Sequence, residues 1–277
     1  MLCLGLVSTS GKTAVIYDFN GLSTGNLSGQ QGWKTAKHGT GQDIEVQAGI
    51  GADGTQAICC VPSGSGNEVV ATHVNDANFS MPNYSSVATH ASFQVDLRSS
   101  FWGTEVGLGY DQSGDGHIGR SNAAEKGMVL IADRNQDRLR FVDATGTETV
   151  ITLSNLMTTD NWFRLKVDMD FTANGGQGEA TVSWADAVLD TAFQEVAGLT
   201  GLNMGLNAAA TDADNVNNWN AVYTSFLGAG GQLDNIAGHV PEPGTLLVFG
   251  FGLLGVGAMR RRAARSRIPE FGNLFAS

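Results

Sequence analysis

The 277-residue chain is predicted to be all-β, two antiparallel sheets packed as a jelly-roll sandwich, with one short apolar helix near its C terminus. Three observations predict this. Apolar and polar residues alternate with a period of two from residue 13 to 237, Gly, Asn and Asp clusters interrupt the alternation, and no segment before residue 245 carries a convincing helical stripe. Strands of this kind bury one face and wet the other, and a dozen or more of them close a core as two stacked sheets.

In chain order, strands are expected at 13–19, 43–48, 56–61, 68–74, 87–97, 104–110, 127–132, around Leu139 and Phe141, and at 147–153, 162–171, 180–184, 220–227 and 232–237. The clearest runs from Trp162 to Phe171. Phe163, Leu165, Val167, Met169 and Phe171 share one face there, and Arg164, Lys166, Asp168 and Asp170 the other. Val87 to Leu97 repeats the pattern with Ala91, Phe93, Val95 and Leu97 inward, and Trp184 is in phase with Ala180 and Val182. Turns are expected at Gly49–Gly54, Ser63–Asn67, Asp111–Gly116, Asp143–Gly146 and Asn174–Gly178, with single helical turns at Ala123–Lys126 and Ala208–Asp214.

Charge bounds the partners. Net charge is −11, and 11 of the 16 basic residues precede residue 240 against 25 of the 27 acidic ones, so the body sits near −14. Such a surface argues against nucleic acid and anionic lipid and suits a soluble extracellular protein. Residues 1–12 resemble the end of a secretion signal, with Leu2–Val7 apolar and Ser8-Thr9-Ser10 small, and the true start is expected upstream of Met1. Cys59 and Cys60 are adjacent, which on a strand gives one buried and one exposed thiol, with a strained vicinal disulfide as the competing reading.

The tail has its own physics. Val240-Pro241-Glu242-Pro243 precedes fifteen uncharged residues, Thr245 to Met259, and then Arg260, Arg261 and Arg262. Fifteen helical residues span roughly 22 Å, short of a hydrocarbon core of about 30 Å. The prolines mark the helix start, and positive-inside bias holds the arginines in the cytoplasm with the body outside. A membrane segment at 245–259 is therefore expected, against the alternative of a buried core helix. The chain divides into residues 1–12, a sandwich at 13–239, the anchor segment at 240–262 and an unassigned tail at 263–277.

Motifs for catalysis are missing. No Glu-x-Asp-x-x-Glu strand, HExxH helix or Gly-x-Ser-x-Gly elbow occurs, and Asp168 with Asp170 reads as the solvated face of its strand. Two Gly-x-Gly-x-x-Gly strings lack the strand–turn–helix context that a dinucleotide needs. Asp111, Ser113 and Asp115, with Gly116 next, resemble the first half of a calcium loop, but Asn122 stands where a bidentate Glu belongs. Structural calcium and a plain acidic turn are the two readings there, and no other cofactor is expected. For sugar binding, an exposed aromatic plate is the usual device. Trp33, Trp102 and Trp219 lie in or beside polar or Gly-rich stretches, and Asp212, Asp214 and Asn217 precede Trp219 in the most ligand-like loop.

Two resemblances extend these readings. The Pro-Glu-Pro element, apolar helix and arginine cluster resemble the PEP-CTERM sorting signal, which implies an exosortase-type protease as partner, trimming at the C terminus, and final residence at the cell surface or extracellular matrix of a Gram-negative bacterium that secretes exopolysaccharide. Tyr17-Asp18-Phe19-Asn20-Gly21-Leu22 with Gly25-Asn26-Leu27 and Gly29-Gln30-Gln31-Gly32-Trp33, the strand Asn161-Trp162-Phe163-Arg164-Leu165, and Leu233-Asp234-Asn235-Ile236 are similar to concanavalin A-like (laminin-G-like) domains. That resemblance implies a lectin/glucanase sandwich whose last strand returns beside the first. The function expected is an exported, non-catalytic matrix protein binding extracellular polysaccharide. The alternatives are a glycan hydrolase or lyase with an unrecognised site, and a purely structural biofilm protein.

Overall fold

The computed structural model describes residues 14–38, 43–59, 68–76, 84, 89–118, 122–153, 161–228 and 230–239. The signal remnant, Cys60, the membrane segment, Pro241 to Pro243 and the arginine cluster lie outside them. Among the described residues no helix is long and apolar enough to cross a membrane.

Seventeen strands form among these residues: β1 (Ala14–Tyr17), β2 (Gly25–Asn26), β3 (Lys34–His38), β4 (Glu45–Ala48), β5 (Gln56–Cys59), β6 (Glu68–Val74), β7 (His90–Arg98), β8 (Gly103–Gly109), β9 (Lys126–Asp133), β10 (Arg138–Val142), β11 (Glu148–Thr152), β12 (Phe163–Asp170), β13 (Glu179–Asp186), β14 (Gln194–Glu195), β15 (Leu202–Asn203), β16 (Ala221–Leu227) and β17 (Gln232–His239). One sheet follows the order β14-β13-β12-β7-β17-β5-β4-β2, with β1 also on β17 and β15 on β13; the other runs β11-β10-β9-β8-β16-β6-β3. The pairings between these strands are antiparallel. The last strand does return beside the first, Ala14 opposite Gly238.

The core lies between the sheets. Phe163, Leu165, Val167 and Met169 of β12 meet Ala91, Phe93, Val95 and Leu97 of β7 on one side, and Val106, Leu108, Met128, Leu130, Leu139, Phe141, Val222 and Phe226 come from the other sheet. Burial of each large apolar side chain stabilises by about 1.5–3 kcal/mol. Cys59 is buried and carries a free thiol, which burial pushes up to about 11.

Elements without an apolar stripe differ from expectation. β3, Lys-Thr-Ala-Lys-His, is an edge strand whose lysines stand three apart and so fall on opposite faces, a composition that blunts an edge and leaves no period to read. The turn expected at 208–214 forms instead as a single 3-10 turn at Val216–Asn218, and Asn174 and Gly175 take positive φ of 52° and 69° in the turn ahead of β13.

Charge is buried on the outer side of the first sheet. The Gly49–Thr55 loop lays Ala52 there, in a small cluster with Ala57, Trp162 and Ala187. The loop reaches Asp234, which lies opposite Asp96 on the neighbouring strand, and both are 0% exposed. A bulge at Asn235, with φ 43°, lets its Nδ2 donate to Asp96 at 3.1 Å. The Asp234 carboxylate accepts from the amides of Asn235 (2.8 Å) and Ala52 (3.3 Å), yet burial outweighs these bonds and raises its pKa to about 6. An unfolded aspartate releases its proton near pH 3.8. Stability from this group is therefore present at low pH and lost as pH rises through about 6, by up to about 3 kcal/mol. Asp234→Asn is expected to lack that slope. Urea unfolding of both proteins at about pH 4 and pH 7 measures it, and an equal difference at the two pH values would contradict it.

Candidate functional site

Two of the three candidate tryptophans are not on the surface. Trp33 is 1% exposed, packed against Tyr17 (5.5 Å between centroids), Phe19 (5.6 Å) and His73 (5.0 Å). Trp219 is 6% exposed; its Nε1 donates to the Ala213 carbonyl at 2.8 Å, and its ring meets Tyr84 and Phe171 edge-on. Neither can serve as a plate for a sugar ring, which corrects the expectation for both. The polar residues before Trp219 bond largely to their own turn. Asp212 accepts from the Asp214 amide at 3.1 Å, Asn215 accepts from the Asn217 amide at 3.1 Å, and Asn215 Nδ2 reaches the carbonyls of Ala208 and Ala210. Asp212, Asp214 and Asn217 thus lie on one loop whose own ring, Trp219, is turned inward. Burial, then Asp212 and Asp143, raise the pKa of Asp214.

The Asp111–Gly116 loop also closes on itself. Asp111 is 8% exposed; its Oδ1 accepts from Ser113 Oγ at 3.2 Å and its Oδ2 from the Gly116 amide at 2.8 Å. Asp115 Oδ1 accepts from the His117 amide at 2.8 Å, and Lys34 Nζ bonds to the Asp115 carbonyl. Among the described residues no three His, Cys, Asp or Glu side chains converge as a cation site. Asn122, at the twelfth position, precedes a 3-10 turn with no side-chain capping bond. Carboxylates already satisfied by their own turn are a poor ligand set for calcium. Calcium is accordingly expected to leave the thermal midpoint unchanged in differential scanning calorimetry; a rise of several degrees would assign the loop to the ion.

Trp102 is different. It follows Phe101 in the β7–β8 connection, and the two rings are 42% and 41% exposed, 4.9 Å apart and at 90°. Their base is tied down. Ser100 Oγ donates to the Leu227 carbonyl at 2.9 Å and accepts from the Gly103 amide at 3.1 Å, Ser99 Oγ donates to the Ala132 carbonyl at 2.6 Å, and the Trp102 amide donates to Leu227 at 3.1 Å. Gly228 lies against the indole, where a Cβ would come within 2.6 Å of Cδ1, and the Arg134 guanidinium lies beside Gly230. A rigid, exposed right-angle pair of aromatic rings results.

A groove of about 270 Å³ opens elsewhere, on the outer side of the first sheet. β7 contributes His90 and Ser92, β12 contributes Asp168 and Asp170, β13 contributes Glu179 and Thr181, and β17 contributes His239. Strand register assembles it: Ser92 lies opposite both Asp168 and His239, Asp168 opposite Thr181, and Asp170 opposite both His90 and Glu179. Asp170 Oδ1 accepts from Thr172 Oγ1 (2.7 Å) and the Thr172 amide (2.8 Å), and its Oδ2 lies 3.4 Å from His90 Nε2. The Thr172 hydroxyl and amide, with smaller help from His90, hold its pKa below the usual carboxylate range. Asp168 pairs with Lys166 at 2.7 Å, and Lys166 also lies 4.8 Å over the Phe193 ring. Sequence reasoning placed Asp168 and Asp170 on a solvated face, which is where they are. It missed the groove because the residues beside them come from three other strands, and period-two patterning does not reveal which strands pair.

Comparison with known proteins places the chain's C-terminal segment. Residues 239–262 match the PEP-CTERM protein-sorting motif. That motif implies an exported protein processed by exosortase. The sequence has no match among curated proteins. The fold is similar to the exoplasmic/lumenal domain of VIP36 in a Ca2+/Man2-bound form (11% identity, TM-score 0.48, covering 83% of this chain and 88% of that one). It is similar also to the T. cruzi calreticulin globular domain (10%, 0.47, 89% and 99%) and to a carbohydrate esterase of Shiga toxin-encoding bacteriophage phi24B (12%, 0.40, 76% and 90%). Scores below 0.5 carry no argument about ligand or activity.

Proposed function

We propose that this chain is a non-catalytic surface or matrix protein of a Gram-negative bacterium, released by exosortase and binding exopolysaccharide through the Phe101–Trp102 pair. One observation carries the reading: a tryptophan held rigidly with 42% of its surface exposed, on a fold that buries Trp33 and Trp219. Exposed large aromatics cost solubility and serve as contact surfaces, and an indole face stacks on the C–H face of a pyranose. The sorting motif at 239–262 supports the extracellular setting in which a polysaccharide would be met.

Trp102→Ala is expected to lower affinity for the recognised glycan at least about tenfold, because hot-spot aromatics carry about 2 kcal/mol or more of binding. The thermal midpoint is expected to move little, since the ring is already half in water. Glycan-array signal of wild type that survives the substitution would remove the contact. Release of reducing sugar or of unsaturated product from a polysaccharide would instead establish an enzyme. Mass spectrometry of the mature termini in cells checks the trimming.

A further inference from the structure

The groove on β7, β12, β13 and β17 is a second site, well away from the aromatic pair. Ser92 and Arg98 are six residues apart on β7, about 20 Å, and Phe101–Trp102 lie beyond Arg98. Three of its groups have open hydrogen-bonding capacity. Ser92 is 8% exposed and lines the groove, yet its hydroxyl makes no hydrogen bond among the described residues. The rest of the residue is packed away, so its hydroxyl is held in place where it opens to the groove and can bond a ligand hydroxyl. Glu179 is half-buried, and its carboxylate makes no hydrogen bond or ion pair among the described residues. Thr181 Oγ1 accepts weakly from the Gly201 amide at 3.4 Å, which leaves its proton to donate.

Charge selects the ligand. Glu179 sits directly across from Asp170, a carboxylate kept ionised by Thr172, and like charges so placed repel. The nearest lysine, Lys166, is committed to Asp168 and to Phe193. A cation between Asp170 and Glu179 relieves the repulsion, and an ammonium brings three donors and no acceptor to a wall of acceptors. The hydroxyls of Ser92 and Thr181, with the His239 imidazole, call for a partner that also carries hydroxyls. A volume of about 270 Å³ is slightly below the roughly 300–1,000 Å³ of drug-sized clefts, so one ring fits better than a long chain.

We propose that this groove binds an amino sugar with its amine free and protonated, the ammonium between Asp170 and Glu179 and ring hydroxyls on Ser92 and Thr181. Titration calorimetry on the full chain in detergent tests it with three probes: the β-1,4 glucosamine disaccharide, its N-acetylated counterpart and spermidine. The free-amine disaccharide is expected to bind, more weakly as salt rises, and the acetylated one not to bind. Glu179→Gln is expected to raise the dissociation constant at least about tenfold and Ser92→Ala several-fold, while Trp102→Ala leaves it unchanged. Failure of the Trp102 reading would therefore leave this result standing. Equal binding of the two disaccharides, no binding of either, spermidine matching the free-amine sugar, or an unaltered Glu179→Gln protein would each overturn the proposal.

Discussion

Replacing Arg164 with leucine is expected to lower the unfolding free energy by about 3–5 kcal/mol, because it strands a buried carboxylate. Arg164 Nε and Nη2 donate to the two oxygens of Asp96 at 2.7 and 3.0 Å, and Asp96 is fully buried. The bidentate bond with Asp96 comes first in raising the arginine pKa, and Asp190, bonded to Nη1 at 2.5 Å, adds to it. Without the guanidinium, Asp96 keeps one donor in Asn235 and has Asp234 nearby, itself already pushed up to about 6 by burial. A second substitution separates the pair's net worth from the cost of breaking it. Asp96→Leu added to Arg164→Leu is expected to recover much of the loss, since apolar replacement of a whole buried pair is often neutral. Equilibrium urea unfolding of the single and double variants gives the cycle. A single variant within about 0.5 kcal/mol of wild type would show that the pair is solvated in practice.

That pair also shows where sequence reading stops. Phe163 to Met169 gave away their strand because every second residue is apolar, and the same alternation put Arg164 on the outer face. On a sandwich strand the outer face is ordinarily the wet one. Asp96 lies on that face too, yet it is fully buried beside Arg164 and Asn235 while the Gly49–Thr55 loop folds onto its neighbour Asp234, and no local pattern announces a loop folding back over a sheet. The tryptophans failed in the same direction. Polar, Asn-rich neighbours made Trp219 look exposed, whereas those neighbours spend their polar groups on the turn that carries the ring inward. Trp102 kept its surface position because Ser99 and Ser100 anchor the backbone beneath it. Residues whose role depends on one strand were legible; those assembled across strands, as in the Ser92–Glu179 groove, were not.

Trp219→Ala is expected to destabilise by about 3–5 kcal/mol, the range for emptying a large aromatic from a packed core. The argument rests on how closely the indole is held. A Cβ on Gly127 of β9 would overlap its Nε1 and Cε2, so the strand has a glycine where the ring passes. Gly127 has ordinary negative φ, and its lack of a side chain there serves the close approach alone. Gly127→Ala should therefore also destabilise, by driving the ring off the Ala213 carbonyl and leaving a buried N–H unpaired, at about 1–3 kcal/mol. The two losses should not add. Once the indole is gone the methyl enters the cavity it left, and the double variant should be no less stable than Trp219→Ala alone. Thermal unfolding of the four proteins decides this. Strict additivity would mean that Gly127 is needed for its backbone and that the ring is held by Tyr84 and Phe171 instead.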